Sequence, residues 1–140
     1  MKRWLGLGQK QALSGAVKLY PYALGDQESL VSITYENDKS SGTSAIDLKA
    51  TGTIPLKTLD SLGLQNVDFI KIDTEGFEER VLAGAAMTMS QWRPVIIVEQ
   101  KGDMASSRFN LRPKGAVLYL EAMGYQMAQE ISGAYIMVPA

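Results

Sequence analysis

Short apolar stretches separated by polar ones mark the first half of the chain. AVKLY, at residues 16–20, predicts a strand that Pro21 ends, since proline has no backbone N–H to donate to a sheet. The alternation in LVSITYE, at residues 30–36, predicts a strand with one covered face. Further on, we expect two short extended pieces around residues 45–48 and 52–55, and then a turn of helix near residues 59–62.

The second half alternates strand-like and helix-like patterns more regularly. VDFIKID, at residues 67–73, is rich in β-branched and aromatic residues and predicts a strand. From residue 76 to 92 the apolar positions recur at helical spacing, which predicts one helix. RPVIIVEQ, at residues 93–100, holds four consecutive branched aliphatic residues, a run typical of a strand buried on both faces.

The last third predicts a loop, a helix and a hairpin. Residues 101–112 are polar and suggest a loop, and the following helix has Pro113 near its first turn and Gly124 as its stop. YQMAQEI and AYIMVP are joined by only two residues, so these two strands must be antiparallel. The pattern as a whole predicts an α/β fold: a mostly parallel sheet with covering helices and a C-terminal antiparallel hairpin.

Composition narrows the chemistry. The chain has 140 residues, 46% of them apolar and 21% charged, as expected for one globular domain with a core. Its net charge of −1 gives no reason to expect nucleic acid as a partner. There is no cysteine and no histidine, which excludes disulfides, thiolate metal sites and every histidine-dependent triad. Acid–base chemistry must therefore come from Asp, Glu, Lys or Tyr.

Targeting signals are absent from the pattern. No apolar run approaches the length of about 20 residues that a membrane span needs, so we expect no membrane contact. The first 15 residues lack the apolar core of a signal peptide, which predicts a cytoplasmic location.

Charged residues within and just after strand 67–73 suggest a functional edge. Lys71 and Asp73 share one face of this strand, and Glu75 follows in the turn that leads to the helix. Glu99 ends the next strand, so parallel pairing would bring Asp73, Glu75 and Glu99 to the sheet edge where such folds bind ligands. Clustered carboxylates repel one another, which suggests a cation, a proton or a substrate hydroxyl between them.

A purely structural interpretation of the same residues stays open. Glu75 would then favour the dipole at the start of the helix, which is worth about 0.3–1 kcal/mol. Lys71 and Asp73 would form an ion pair at the end of the strand.

Several linked blocks carry a family resemblance. TIPLKTLDSLGLQNVDFIKIDTEGFEERVLAGA, at residues 53–85, followed by RPVIIVEQ, is similar to the C-terminal half of the FkbM family of S-adenosylmethionine-dependent methyltransferases. That family shows a "vttLDsl…vdfIKIDvEGhE…vLkGa…kPiilvE" pattern. The resemblance implies a class I methyltransferase fold, which is Rossmann-like, S-adenosylmethionine as cofactor, and O-methylation of a sugar or another small hydroxylated compound.

The resemblance also implies residue roles. Asp73 and Glu75 would lie at the methyl-transfer edge, where Glu75 would act as general base and Asp73 would position the acceptor hydroxyl or the cofactor's amino group. Glu99 would contact the acceptor. A hard-cation site shared by Asp73 and Glu99 is the alternative, and we assign no metal ligands. The residues expected to approach the adenine of the cofactor are Tyr22, Ala23, Leu24 and Asp26.

Two departures from the family pattern affect these expectations. Phe77 stands where the family commonly has histidine, and the acidic, glycine-rich cofactor turn is absent. LGLG, at residues 5–8, does not replace that turn, because no strand precedes it. We therefore expect a single domain over residues 1–140 that lacks the first strand–helix–strand unit. The alternative function is a non-catalytic binding or assembly module, or an inactive fragment, derived from a methyltransferase.

The expected loss of that unit has a consequence for strand 67–73. In the complete fold this strand has a neighbour on each side, and without one it would become an exposed apolar edge. We expect the chain either to close the gap with its own strand at residues 16–20, which corresponds to the third strand of the complete fold, or to form a homo-oligomer through residues 67–73.

Overall fold

A computed structural model of the protein describes residues 17–35, 44–49 and 52–140. The LGLG segment therefore lies outside the described residues. The strands are β1 (Ala23–Leu24), β2 (Ser29–Tyr35), β3 (Ser44–Asp47), β4 (Ile54–Lys57), β5 (Phe69–Ile72), β6 (Val95–Glu99), β7 (Tyr125–Ile131) and β8 (Ala134–Pro139). The helices are α1 (Glu78–Ala83), α2 (Ala86–Trp92), α3 (Met104–Phe109) and α4 (Gly115–Ala122), with a 3-10 turn at Asp60–Leu62.

The strands form two mixed sheets, with the orders β1-β4-β2-β3 and β5-β6-β8-β7. The fold is α/β as predicted, but the expectation of a mostly parallel sheet is wrong. Among the described residues, β1–β4 and β5–β6 pair in parallel, whereas β2–β3, β2–β4, β6–β8 and β7–β8 are antiparallel. The connections between strands explain this. Parallel neighbours need a long crossover, which the helices between β5 and β6 provide, whereas antiparallel neighbours can be joined by a short turn.

The first predicted strand is displaced. Residues 17–20 form no strand, and β1 begins after Pro21, where Ala23 and Leu24 pair with Leu56 and Lys57 of β4. In the predicted segment, Leu19 remains 64% exposed. A strand needs a partner for its backbone, and the chain meets β4 only beyond the proline, so pairing overrides local propensity here.

The helix predicted over residues 76–92 is two helices. Gly84 and Ala85 separate α1 from α2, and a Cβ on Gly84 would lie 1.9 Å from the carbonyl oxygen of Gly25. The second helix starts where the carboxylate of Asp60 accepts hydrogen bonds from the backbone N–H groups of Met87 (3.0 Å) and Thr88 (2.8 Å). The break between the two helices therefore depends on contacts with residues far away in the sequence, namely Gly25 and Asp60.

The last third agrees more closely with the sequence. The polar segment 101–112, expected to be a loop, contains α3, so that prediction is wrong in part. Helix α4 and the β7–β8 hairpin lie where they were predicted, and Gly124 follows α4 with a positive φ of 79°. A left-handed residue at this position suits glycine, which has no Cβ to clash.

The core lies mainly beneath the second sheet. Ile96 and Val98 of β6 are completely buried, together with Leu82 of α1, Leu120 of α4 and Met137 of β8. Burying each such side chain contributes about 1.5–3 kcal/mol. The alternate residues of β6 are only partly buried, so the expectation of a strand buried on both faces holds for one face.

Strand β5 forms one edge of its sheet among the described residues. Strand β1 pairs with β4 and not with β5, so the gap beside β5 is not closed by the chain's own preceding strand. The aromatic ring of Phe69 is correspondingly exposed, at 54%. Internal closure by that strand is therefore wrong, and self-association through this edge stays a prediction.

Candidate active site

The turn after β5 carries the first two acidic residues of the site. Asp73 follows the last residue of β5, and the chain then turns sharply, with Glu75 at φ 56° and Gly76 at φ 109°. A Cβ on Gly76 would lie 2.8 Å from the backbone of Met104, at the start of α3. Both the positive φ of Gly76 and its close contact with Met104 require glycine, and this contact packs α3 against the turn.

This turn and the end of β6 border one cavity of about 500 Å³. Its walls come from the carboxyl ends of β5 and β6, the start of α3 and the β7–β8 turn. Asp73, Glu75 and Glu99 all line it, so the structure brings together the three carboxylates expected at this edge. The parallel pairing of β5 with β6 is the cause, because it places both strand ends on the same side.

The carboxyl groups of Asp73 and Glu99 interact, and their pKa values move in opposite directions. Partial burial raises the pKa of Asp73, and the hydrogen bond with Glu99 raises it further. A hydrogen bond from Lys101, its ion-pair partner, lowers the pKa of Glu99, and the bond with Asp73 acts in the same direction. Of the two carboxyls, Asp73 is therefore the one whose protonated form is favoured, as expected when two carboxyls occupy one site.

Lys71 supports the structural interpretation of the strand end in part. Its ammonium lies 3.5 Å from the carboxylate of Asp73, but the two side chains are 58% and 39% exposed. Exposed pairs of this kind contribute about 0–1 kcal/mol. The ion pair is therefore present but too weak to account for Asp73 at this position.

Glu75 is half-buried in the turn, with 22% of its side chain exposed. Burial raises the pKa of Glu75, and the neighbouring Asp73 carboxylate raises it further. The guanidinium of Arg108 opposes both effects, lying 4.0 Å from the Glu75 carboxylate. The same guanidinium donates a hydrogen bond of 3.1 Å to the backbone carbonyl of Glu75. A carboxyl with a raised pKa in a cavity is suited to accepting a proton from a ligand.

Glu78 also lines the cavity, and the sequence analysis missed it. Its side chain is only 1% exposed, although it is charged. One carboxylate oxygen, Oε1, accepts hydrogen bonds from Gly76 N (2.9 Å), Thr74 N (3.1 Å) and Thr74 Oγ1 (3.2 Å). Two signals mark it: the family pattern IKIDvEGhE ends on a glutamate at this position, and Glu78 precedes Val81 and Leu82 by three and four positions, so that it shares their buried face.

The residues expected near the adenine lie elsewhere. Tyr22, Ala23, Leu24 and Asp26 do not line the cavity. Asp26 forms an ion pair with Arg80 of α1, and the ammonium of Lys57 sits 4.8 Å above the ring of Tyr22. The structure therefore does not bring the two predicted groups of site residues into one site.

A second, more open groove of about 700 Å³ runs between the β2–β3 hairpin and α3. Its polar lining includes Thr34, Asp47, Arg108 and Asn110. Arg108 also contacts Glu75, so this one side chain connects the groove with the wall of the acidic cavity.

No group of three or more acidic side chains among the described residues is arranged to hold a metal ion. No helix within the same residues is long and apolar enough to cross a bilayer.

Comparisons with known proteins place the chain in a family. Searches of curated proteins and of solved structures find no match. The family model of the methyltransferase FkbM domain matches residues 2–127, which is most of the chain. This match agrees with the resemblance of the blocks around the acidic turn. The chain belongs to the FkbM family of methyltransferases.

Proposed function

We propose that the protein transfers a methyl group from S-adenosylmethionine to a hydroxyl group of a small hydroxylated compound such as a sugar. The family supports methyl transfer in general. The observation that carries the finer proposal is the position of Glu75, enclosed beside Asp73 in a cavity at the carboxyl ends of a parallel strand pair. We further propose that the two mixed sheets are a partial, Rossmann-like class I methyltransferase fold.

The carboxylates of the cavity suit the polar groups of the proposed cofactor. Its ammonium and ribose hydroxyls are hydrogen-bond donors, and the cavity presents carboxylate acceptors. When bound, S-adenosylmethionine supplies an electrophilic methyl group on a sulfonium centre. Asp73 would hold its amino group, and Tyr22, Ala23, Leu24 and Asp26 stay our proposed adenine contacts. To contact the adenine, Asp26 would either give up its ion pair with Arg80 or keep it while lying beside the bound ligand.

Glu75 is the proposed general base. The acceptor hydroxyl must lose its proton as its oxygen forms the new bond to carbon, and a carboxylate at hydrogen-bond distance can take that proton. Burial raises the pKa of Glu75, which brings its basicity closer to what the step requires. Glu99, paired with Lys101, would contact the acceptor from the end of the neighbouring strand.

The groove beside α3 is the proposed place for the rest of the acceptor. Arg108 and Asn110 are donors suited to hydroxyl groups, and Asp47 and Thr34 add acceptors on the opposite side. Because Arg108 also contacts Glu75, an acceptor in the groove would reach toward the proposed base.

The first test is isothermal titration of the 140-residue chain with S-adenosylmethionine and with S-adenosylhomocysteine. We expect micromolar binding of both, and about tenfold weaker binding by the Asp26→Asn variant. Glu28→Gln is the matched control, because Glu28 lies close in the chain and is exposed. Absence of binding at millimolar ligand would contradict the proposed cofactor.

The alternative function is a non-catalytic binding or assembly module derived from a methyltransferase. The observation that favours it is the separation of the predicted adenine contacts from the acidic cavity. Under this alternative, a small polyol would bind the wild-type chain while neither cofactor form does. The same titrations therefore distinguish the two functions.

We also propose that the protein forms a homo-oligomer through residues 67–73. Within the part of the chain that the structure describes, β5 is an edge strand, and the exposed Phe69 adds apolar area there. Sedimentation should show a concentration-dependent dimer that Phe69→Lys weakens. Leu118→Lys is the control, since Leu118 is similarly exposed, at 43%, on α4. A wild-type chain that stays monomeric would remove this proposal. A cytoplasmic location and the absence of a nucleic-acid partner stay predictions.

A further inference from the structure

The turn that carries Glu75 is held by side chains from two helices. Glu75 itself has a left-handed backbone, at φ 56°, a conformation that residues with a Cβ disfavour. Such a conformation persists where the surroundings enforce it, and that is often at functional sites. The enforcing contacts can be identified in this case.

Helix α1 supplies the first of them. Oε1 of Glu78 accepts the backbone N–H groups of Thr74 and Gly76, which lie on either side of Glu75. It also accepts the hydroxyl of Thr74. From α3, Arg108 donates to the carbonyl oxygen of Glu75 itself. Backbone groups of three successive residues are thus tied to two buried or half-buried side chains.

These contacts are separate from helix capping. The residue that caps the start of α1 is Phe77, and no side chain makes a capping hydrogen bond there. Glu78 bonds to residues that precede the helix, so its three hydrogen bonds stabilise the turn and not the first helical N–H groups. A charged side chain that is 1% exposed would be costly to retain for helix propensity alone.

We propose that Glu78 is a positioning residue, which sets the carboxylate of Glu75 in the cavity by fixing the 74–76 turn, with Arg108 as the second support. This inference rests on the proposed function in one respect, namely that Glu75 is the base. The role of Glu78 in shaping the turn is independent of which ligand the cavity takes.

The electrostatic surroundings of Glu75 make the effect measurable. Asp73, Glu78 and Glu99 raise the pKa of Glu75 together with burial, while Arg108 lowers it. The ammonium of Lys101 is also close enough to interact with Glu75. If the turn opens, the carboxyl becomes hydrated and moves away from the other carboxylates, so its pKa falls toward the ordinary value of 4.5.

The test compares Glu78→Ala with the conservative Glu78→Gln, whose amide oxygen can accept the same three hydrogen bonds. In Glu78→Ala, we expect kcat for methyl transfer to fall about 100-fold, with a smaller change in KM for S-adenosylmethionine. Glu78→Gln should restore kcat to within about tenfold of the wild type. Glu79→Gln is the matched control, because Glu79 is the next residue of α1 and pairs with Arg112 outside the cavity.

A second measurement does not depend on activity. NMR titration of the Glu75 carboxyl should give a lower pKa in Glu78→Ala than in the wild type, a smaller decrease in Glu78→Gln, and no change in Glu79→Gln. The amide signals of Thr74 and Gly76 should move in Glu78→Ala. If that variant does not fold, Thr74→Val, which removes one of the three hydrogen bonds, should produce a smaller shift in the same direction.

The outcomes separate the inference from the proposed function. An unchanged Glu75 pKa and unchanged amide signals in a folded Glu78→Ala, or in Thr74→Val where Glu78→Ala does not fold, would overturn the positioning role. Both Glu78 variants remove the charge that itself raises the Glu75 pKa. A larger fall in Glu78→Ala than in Glu78→Gln, or a fall in Thr74→Val, in a chain that transfers no methyl group would therefore support the positioning role while removing the proposed function.

Discussion

The predicted site residues of the second sheet line a shared cavity, whereas those of the first sheet do not line that cavity. At the end of β5–β6 the carboxylates converge on one cavity, and the pKa of both Asp73 and Glu75 is raised. In the first sheet, Asp26 is paired with Arg80, and Tyr22 lies under Lys57. Each sheet has one parallel strand pair, but β1 is only two residues long. Both parallel pairs end together, so the difference lies in the residues that follow: carboxylates that line a cavity after β5 and β6, and an ion-paired Asp26 after β1.

The supports of the two regions differ as well. The acidic turn is enforced from buried positions, by Glu78 and by the close approach of Met104 to Gly76. After β1, Gly25 also packs closely, against Gly84, but the Asp26 side chain is held by the exposed side of α1, through Arg80. Surface ion pairs of this kind contribute about 0–1 kcal/mol, so the Asp26 side chain can leave its partner at lower cost than the acidic turn can rearrange.

The largest expected difference between the two regions is in catalysis. Glu75→Gln should lower kcat for methyl transfer about 100-fold or more, because the proposed base is lost while its shape is kept. Asp73→Asn should have a similar effect, and Asp26→Asn should lower kcat/KM for the cofactor about tenfold. Steady-state kinetics on the three variants checks this order, with the exposed Glu121→Gln as control. Wild-type turnover in Glu75→Gln would remove the base from the mechanism.

A second difference concerns stability. Ile96→Ala should cost about 2–5 kcal/mol of unfolding free energy, since Ile96 is completely buried at the centre of the second sheet. Leu30→Ala in the first sheet should cost less than about 0.5 kcal/mol, because Leu30 is 63% exposed. Urea denaturation of both variants measures these values. Equal losses would mean that the second sheet is not the more stable region.

The smallest expected effect is in the pH dependence of stability. A carboxyl with a raised pKa in the folded state binds its proton more tightly than in the unfolded chain. The contributions of Asp73 and Glu75 are therefore present below their ordinary pKa values of 3.8 and 4.5, and are lost as pH rises through the raised values. Glu99 behaves oppositely, because its pKa is lowered: its contribution is present above 4.5 and lost as pH falls through the lowered value.

Urea denaturation at a series of pH values above 4.5 tests this sign. Glu75→Gln should lose less stability than the wild type as pH rises through this range, because glutamine does not titrate. Glu121→Gln, on the exposed side of α4, is again the control. A steeper decline in Glu75→Gln than in the wild type would contradict the raised pKa of Glu75.

Prediction from the sequence succeeded where the signal was local. The alternation in β2, the aliphatic run of β6, and the two-residue turn of the β7–β8 hairpin all specify their elements within a few residues. It failed where the cause was distant. The start of β1 depends on β4, and the break between α1 and α2 depends on Gly25 and Asp60.

The candidate site divides in the same way. The positions of Asp73 and Glu99 at strand ends could be predicted from the sequence, because the two strands follow one another with helices between them. The sequence could not predict the pairing of Asp26 with Arg80, 54 positions apart, or the contact of Arg108 with Glu75, 33 positions apart. No local pattern specifies which of several charged residues will meet.

The sequence by itself determined the family, the acidic turn and the residues that end strands β5 and β6, because these follow from motif and periodicity. Only the tertiary structure decided that the sheets are mixed, that the proposed adenine contacts lie apart from the cavity, and that Glu78 holds the turn. Burial explains the difference. A pattern tells which face of an element is apolar, whereas the desolvation and hydrogen bonding of a given carboxylate depend on what the folded chain packs against it.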